Sequence, residues 1–479
     1  MENEHNNTTI QAPHPPQTRA TREGEGISRR NFLPGAGAAL TALTILPRHV
    51  LGGKSYRAPN ERLNIAGVGV GGMGRNYLRN CETENIVALC DVDDNLAAKT
   101  FEGYPNAKTY RDFRIMLEKE KGIDAIVIGT PDHTHAIVAM AGMQLGKHLY
   151  CAKPLTRTIH EARHLAKAAR EAGVATQMSV QSSASDAACS TAEWVQAGAV
   201  GPVREVHVWT DRPIWPQGLA RPAETFPVPS ALGWDLWLGP APARPYHPVY
   251  HPFRWRGWYD FGTGALGDMA CHTLHVIFRA LKLAYPTSVY ASSTFIVEPI
   301  IEAKNGSISV RHQKASCPES FPMSSIVTWD FPARGDLPAV RMHWYEGGLK
   351  PPGLLELDSG TAQPRSGILF MGDKGVLFSG FNGGPRLIPE TKHKAYTPPA
   401  KTIPRTIGHY QEWIEAAKGG KPANCNFDFG SLLVETALLG TIAIRTGKRL
   451  YWDAENGQIT NDADANKYVN PPYRSGWSL

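Results

Sequence analysis

The run Gly67-Val68-Gly69-Val70-Gly71-Gly72-Met73-Gly74 follows the apolar stretch Leu63-Asn64-Ile65-Ala66 and opens a segment able to continue as a helix. Written as Gly69-x-Gly71-x-x-Gly74, it fits the turn between the first strand and first helix of a dinucleotide-binding unit. Gly69 is expected to make the tight turn, Gly71 to let the backbone approach a pyrophosphate, and Gly74 to let the helix pack closely on the sheet. Gly72 and Met73, at the helix start, are placed to offer free N–H groups to the anion. Residues 86–89 read as the second strand and lead into Cys90-Asp91. Asp91 stands twenty residues after Gly71, the spacing of an acid that accepts from a ribose 2′-hydroxyl. A carboxylate there favours NAD over NADP, whose 2′-phosphate would meet a like charge.

Strand and helix patterns alternate from about residue 61 to 180. Segments 63–68, 86–89, 123–130 and 148–151 read as strands, and 135–145 and 159–172 as helices closed by Gly146 and Gly173. Such alternation predicts one parallel sheet with right-handed crossovers and ligands at the carboxyl ends of its strands. After Gln181 the pattern changes. Segments 203–210, 288–297, 324–331, 339–345 and 367–378 read as strands of a mostly antiparallel sheet, with late helices over 410–418 and 432–445. The expected fold is therefore α/β. A Rossmann NAD(P)-binding domain over 59–180 precedes an α+β domain with an open, mostly antiparallel sheet over 181–450, and a polar tail follows from 451 to 479. Between the two patterns lies an aromatic, proline-rich segment, 211–262; irregular stretches of that length are usually functional.

With 42% hydrophobic and 20% charged residues the chain reads as globular. A net charge of +6 without a basic block makes nucleic acid an unexpected partner. The seven cysteines are scattered, odd in number and lack any Cys-x-x-Cys pair, which argues against a zinc knuckle or a disulfide framework. Residues 1–58 read as a leader: a polar stretch, then Ser28-Arg29-Arg30-Asn31-Phe32-Leu33 and an apolar run to Leu46. This pattern matches a twin-arginine export signal, and its apolar part is too short to span a bilayer comfortably. Export to the periplasm or cell surface is expected, with no stable membrane span afterwards. No later stretch reads as long enough to cross a membrane.

Two places carry chemistry. In Tyr150-Cys151-Ala152-Lys153-Pro154-Leu155 the lysine follows a parallel strand, where it faces the nicotinamide and can move a proton if burial lowers its pKa; the alternative is a surface lysine before a turn. A helix beginning near Ala265 puts Asp268, His272, His275 and Arg279 at i, i+4, i+7 and i+11, one polar stripe on an apolar helix. Histidine suits acid–base work near neutral pH, and an aspartate one turn away can orient it. The rivals are a solvent-facing stripe and an Asp-x3-His-x2-His metal site; no metal is expected, since hydride transfer needs none. Tyr246, His247, His251, Arg254, Trp255, Trp258 and Tyr259 suit a carbohydrate or cyclitol pocket, aromatic faces stacking on rings and polar tips bonding hydroxyls. His343-Trp344-Tyr345-Glu346 ends a strand and is assigned to the same cleft. In Thr130-Pro131-Asp132-His133-Thr134-His135 the histidines read as cofactor-edge or helix-start residues.

Together these pieces resemble the Gfo/Idh/MocA family, the relatives of glucose–fructose oxidoreductase and inositol dehydrogenase, over roughly residues 60–450. The matching stretches are 65–74, Thr130-Pro131 with His135, the run from Ala141 to His148, Lys153-Pro154, and Asp268 with His272. The resemblance implies that Lys153 assists proton transfer, Asp268 binds substrate hydroxyls and His272 is the base. It implies NAD or NADP contacts from Gly69, Gly71, Gly72, Met73, Gly74, Asp91, Thr130, Pro131, His135 and Lys153. Lys153, Arg254, Trp255, Trp258, Tyr259, Asp268, His272 and His275 are assigned to a carbohydrate substrate. A homo-oligomer is expected. Two positions depart from the family pattern: Ala152 replaces a glutamate before Lys-Pro, and His275 replaces an aspartate three residues after the histidine. The leading expectation is an exported NAD(P)-dependent oxidoreductase on a sugar, glycoside or cyclitol carbon. A redox-neutral glycosidase or lyase working through a keto-sugar, and a non-catalytic sugar-binding homologue, are the alternatives. Export removes the enzyme from the cytoplasmic nucleotide pool, so a tightly held, recycled cofactor is expected.

Overall fold

A computed structural model describes residues 61–304, 307–352, 364–381 and 383–479; the leader and its arginine pair lie outside the described residues. The first half runs β1 (Asn64–Val68), α1 (Gly72–Arg79), β2 (Asn85–Cys90), α2 (Asp94–Gly103), β3 (Lys108–Tyr110) and α3 (Phe113–Lys119). It continues β4 (Ala125–Ile128), α4 (Asp132–Gln144), β5 (His148–Cys151), α5 (Ile159–Ala172) and β6 (Thr176–Met178). The strands form one parallel sheet in the order β3-β2-β1-β4-β5-β6. β4 is apolar and buried at every residue, as a parallel strand covered by helices on both faces must be. The order reverses between β1 and β4, so a crevice opens at their carboxyl ends, directly beyond the glycine run. α5 is bounded as its sequence signals: Thr158 and Glu161 form a capping box and Gly173 ends the helix in the left-handed region.

The second half comprises α6 (Asp186–Gln196), β7 (Val203–Trp209), α7 (Trp234–Leu238), α8 (Gly264–Leu281), β8 (Ser288–Ser293), β9 (Val297–Lys304), β10 (Ser307–Lys314), β11 (Ser325–Phe331) and β12 (Val340–Tyr345). After these come β13 (Gly367–Gly372), β14 (Gly375–Gly380), β15 (Pro385–Ile388), α9 (Glu390–Ala395), α10 (His409–Ala417), α11 (Phe427–Thr446), β16 (Leu450–Asp453), β17 (Gln458–Ile459) and α12 (Asn466–Val469). Nine strands form a sheet in the order β15-β14-β13-β7-β12-β11-β8-β16-β17, antiparallel except where β7 meets β12. One face packs on α8 and α11. There Trp329 donates from Nε1 to the Thr436 carbonyl at 3.0 Å. A Cβ at Gly440 would meet Leu266 at 2.6 Å and Trp329 at 2.7 Å, which is why the helix carries glycine at that crossing.

Several elements differ from the expectation. α11 begins at Phe427, and with a mean hydropathy of 1.5 it is apolar enough to cross a membrane; 83% of it is buried inside the protein, so here it is a core helix. Segment 367–378 is two strands joined at Asp373-Lys374, because Gly372 and Gly375 turn the chain back on itself. The strand expected over 288–297 stops at Ser293, and β9 and β10 form a separate two-stranded ribbon. The ribbon's residues are almost all exposed, so no burial pattern marked it. The stretch from 451, read as a tail, begins inside β16, which pairs with β8, and Arg474 returns to bond Asp235 and the Gly239 carbonyl.

Candidate active site

Close packing dictates the glycine turn. Gly69 sits at φ +74°, and a Cβ there would lie 2.5 Å from the Thr130 nitrogen. A Cβ at Gly74 would lie 1.8 Å from the Gly69 carbonyl oxygen. Gly71 plays a part other than the expected one: its N–H donates to Asp91 Oδ2 at 3.0 Å, and a Cβ would strike Leu96 at 2.5 Å. Val70 N–H donates to the same oxygen at 2.8 Å and Asp93 N–H to Oδ1 at 3.0 Å. Asp91 thus braces the turn while lining the cavity beside it; burial raises its pKa against the pull of those three bonds. Gly72, at φ +44°, has no atom within 4 Å of its Cβ position and faces open space. Gly72 and Met73 therefore carry the anion-facing role at the start of α1.

A cavity of about 630 Å³ runs from this turn to the second domain. Gly69, Gly71, Gly72, Met73 and Asp91 line one end, Thr130, Pro131 and Asp132 the middle, and Lys153, Arg256 and His272 the other. A dinucleotide fits this layout: amides and an acid at one end, a glycine with open space beside it, and acid–base groups where a nicotinamide would reach. Lys153 Nζ, carried past the end of β5, donates to Asp268 Oδ1 at 2.9 Å and to the Asp268 carbonyl at 2.7 Å. Arg256 Nε approaches the same Oδ1 at 3.4 Å. Burial works against ionisation of Asp268, yet Lys153 and Arg256 prevail and hold its pKa below the usual carboxylate range. His272, one turn along α8, is pushed down to about 3 by burial, with Lys153 adding to the shift and Asp268 opposing it. Its imidazole is neutral at ordinary pH, with a lone pair open to a proton, and the low pKa makes it a weak base.

Residues 63–180 match the family profile described as "Oxidoreductase family, NAD-binding Rossmann fold", and 212–287 match the companion profile "Oxidoreductase family, C-terminal alpha/beta domain". Over these two stretches the chain is similar to the Gfo/Idh/MocA oxidoreductases. It is 25% identical over 187 residues to a levoglucosan dehydrogenase from Pseudarthrobacter phenanthrenivorans, covering 39% of this chain and 40% of that one. It is 28% identical over 111 residues to an inositol 2-dehydrogenase from Salmonella paratyphi B, covering 22% and 33% respectively. The match thus spans less than half the length of these curated relatives. The crystal structure of the WlbA dehydrogenase from Bordetella pertussis, in complex with NADH and UDP-GlcNAcA, shares the fold at a TM-score of 0.55 and 17% identity, over 82% of this chain and 99% of that one.

The chain brings Lys153, Asp268 and His272 together as expected, but several assigned residues lie elsewhere. His135 is fully buried, bridging the Pro154 and Thr130 carbonyls, each at 2.8 Å, so it holds two cavity loops together without lining the cavity. Gly74 packs against the turn. Arg254 is exposed; the arginine aimed inward is Arg256, on the same short 3-10 turn. Trp255 lines the cavity and lies under the Arg256 guanidinium at 4.2 Å. Trp258 belongs to a buried aromatic cluster with Trp237, Tyr250 and Phe261. Tyr259 packs against Phe321, ring centroids 4.0 Å apart and planes tilted by 41°, away from the central cavity. His275 is fully buried and meets the Ser182 hydroxyl at 3.0 Å, so only the first two members of the helical stripe reach the site. Glu346 is buried beneath the sheet, held by Ser325 and Trp344. His343 lies on the sheet's far face.

Asp132 and Trp477 are additions that the sequence reading missed. Trp477 folds back from the C-terminus to line the cavity, with Arg114 over its ring at 4.5 Å. Asp132 opens α4, looks like a helix-start residue in sequence, and accepts from the Thr263 hydroxyl at 2.8 Å. Burial raises its pKa from 3.8 to about 7, and Asp268 adds to the rise against Arg256 and Lys153. Two carboxyl groups in one site are thus separated, Asp268 ionised and Asp132 keeping its proton up to about neutral pH. Below pH 4 both folded and unfolded chains keep the Asp132 proton, and no cost arises. Between about 4 and 7 the unfolded chain alone releases it, so stability falls and then levels off. Asp132→Asn is expected to stabilise the protein at pH 8, by on the order of 3 kcal/mol, and to leave it unchanged at pH 4. Urea unfolding at the two pH values measures this; equal effects at both would exclude a proton held on Asp132.

Proposed function

We propose that this protein is an exported oxidoreductase that transfers hydride between a ring carbon of a sugar, glycoside or cyclitol and a nicotinamide dinucleotide it retains. The observation that carries the reading is the cavity joining the glycine turn to Lys153 and His272, with Asp268 held against Lys153 at its edge. NAD, when bound, supplies the hydride acceptor. Asp268, kept ionised, orients a substrate hydroxyl by accepting from it. Lys153 Nζ has three donors, of which two go to Asp268; the third is available to the oxygen that reacts. His272, kept neutral, takes the hydroxyl proton as the C–H bond breaks. Trp255 and Arg256 form a stacked, charged wall suited to a polar ring. The twin-arginine leader supports export of a folded protein, which would carry its nucleotide with it.

The test uses the native protein from a periplasmic fraction. Mass spectrometry is expected to find NAD or NADP in it, and levoglucosan, myo-inositol or a common hexose to turn the bound nucleotide into its reduced form. Protein that arrives without nucleotide, and that neither NAD nor NADP protects against heat, would overturn the reading. Release of the aglycone from an aryl glycoside without net reduction would replace it by redox-neutral cleavage.

A further inference from the structure

We propose that Glu205, His207 and His343 form a binding site for a divalent transition-metal ion with the ligand preferences of zinc, on the face of the nine-stranded sheet turned away from α8 and α11. Side chains alternate along a strand. Val206 and Val208 of β7, and Met342 and Trp344 of β12, point into the core. Glu205, His207, His343 and Tyr345 therefore share the other face, and the parallel register sets His207 beside His343. The imidazoles stack with centroids 5.0 Å apart and planes 15° from parallel. Nε2 of His207 lies 3.3 Å, and Nε2 of His343 2.9 Å, from the same Glu205 Oε1. The three ligand atoms lie within 4.8 Å of one another. Bonds of about 2.0–2.1 Å at tetrahedral angles set ligand atoms roughly 3.3 Å apart, so small side-chain rotations admit the ion.

The outer ring nitrogens are also held by oxygens. His207 Nδ1 lies 3.0 Å from the Tyr345 hydroxyl, and His343 Nδ1 2.9 Å from the Thr328 hydroxyl. A histidine that binds a metal through one nitrogen donates from the other to an oxygen, which fixes its tautomer; here both rings have that oxygen in place. His207 is buried and His343 nearly so, while Glu205 is half-exposed. The site is thus preformed at its base and open on one side for a water. Arg204 and Arg341, the cations nearest in sequence, are engaged by Asp373 at 2.9 Å and Asp330 at 2.8 Å. None of the three ligands lines the central cavity, so the ion would stand apart from hydride transfer and tie β7 to β12. Two imidazoles and a carboxylate suit zinc or cobalt and are poor ligands for magnesium or calcium.

The experiment uses tag-free protein stripped with EDTA, titrated with Co²⁺ alone and then with Zn²⁺ as competitor. His160 and His164 lie with ring centroids 3.9 Å apart on α5 and can bind a metal weakly, so the parent carries H160Q and H164Q. One Co²⁺ per chain is expected, with the strong visible bands of a low-coordinate nitrogen–oxygen site that Zn²⁺ abolishes. Glu205→Gln and His343→Gln are expected to weaken binding at least ~100-fold, and Tyr345→Phe ~10-fold. Dinucleotide binding should be unchanged in all three. Glu205→Gln, at a half-exposed position, keeps the test valid if a histidine variant misfolds. Absence of those bands, or affinity unaltered by Glu205→Gln, would overturn the site; the two rings would then simply donate from Nε2 to Glu205.

Discussion

Lys153→Met is expected to lower kcat by about 10³-fold, within the 10²–10⁴ range of a positioned proton-transfer group, while NAD affinity changes little. Methionine keeps the length and apolar stem but removes every donor. The loss has two parts. The reacting oxygen loses its cationic donor, and Asp268 loses its nearest countercharge and keeps only the longer contact to Arg256. The second part appears in stability as well. The folded pKa of Asp268 is lowered, so its contribution is present above the unfolded carboxylate pKa and is lost as pH falls through the folded value. The variant should therefore melt below wild type at pH 7, by an amount on the order of 2–3 kcal/mol given the pair's partial exposure. The two curves should converge towards pH 3. Steady-state kinetics with melting at both pH values provides the check. A kcat within tenfold of wild type would remove Lys153 from the reaction and leave it a structural ion-pair partner.

The sequence made the first domain legible because its signals are local. Glycines whose Cβ positions are blocked, an acid at fixed spacing, and a Thr158–Glu161 capping box each act within one turn or one strand–helix unit. The positions of Lys153, Asp268 and His272 could be read for the same reason: each stands at a recognisable strand end or helical repeat. What the sequence concealed depends on long-range contacts. Arg254 and Arg256 are equivalent in composition, and only the 3-10 turn, anchored by the buried Trp255, decides which guanidinium faces Asp268. Asp132 looks like an ordinary first-turn acid until the Thr263 segment closes over it. His275 fits the polar stripe by periodicity, yet α8 turns that part of its surface towards the segment around Ser182. The exposed ribbon of β9 and β10 lacks the buried alternation by which strands are recognised.

Gly74→Ala is expected to unseat the glycine turn even without nucleotide, whereas Gly72→Ala, two residues earlier in the same motif, is expected to leave the nucleotide-free fold nearly unchanged. The new methyl at position 74 would lie 1.8 Å from the Gly69 carbonyl oxygen and 2.9 Å from its carbon, both backbone atoms that cannot rotate away. Nor can the turn retreat, because Gly69 is itself pressed against Thr130 and Gly129. Gly129, outside the fingerprint, completes this interlock: a Cβ there would meet both the Gly69 oxygen and the Gly74 Cα at 2.7 Å. α1 would have to lift from the ends of β1 and β4, displacing the amides that face the anion. Overpacking of this kind costs about 3 kcal/mol, roughly a hundredfold in NAD affinity if the displacement falls wholly on the bound state. At position 72 the added methyl meets no protein atom within 4 Å, so without nucleotide only the positive φ of +44° opposes it, a cost of about 1 kcal/mol. Calorimetric NAD titration of the two variants, with melting curves of each without nucleotide, separates steric from conformational effects. Equal losses of stability in the two nucleotide-free proteins would mean that the motif acts through backbone freedom alone, and that the contact between Gly74 and Gly69 does not determine how α1 is seated.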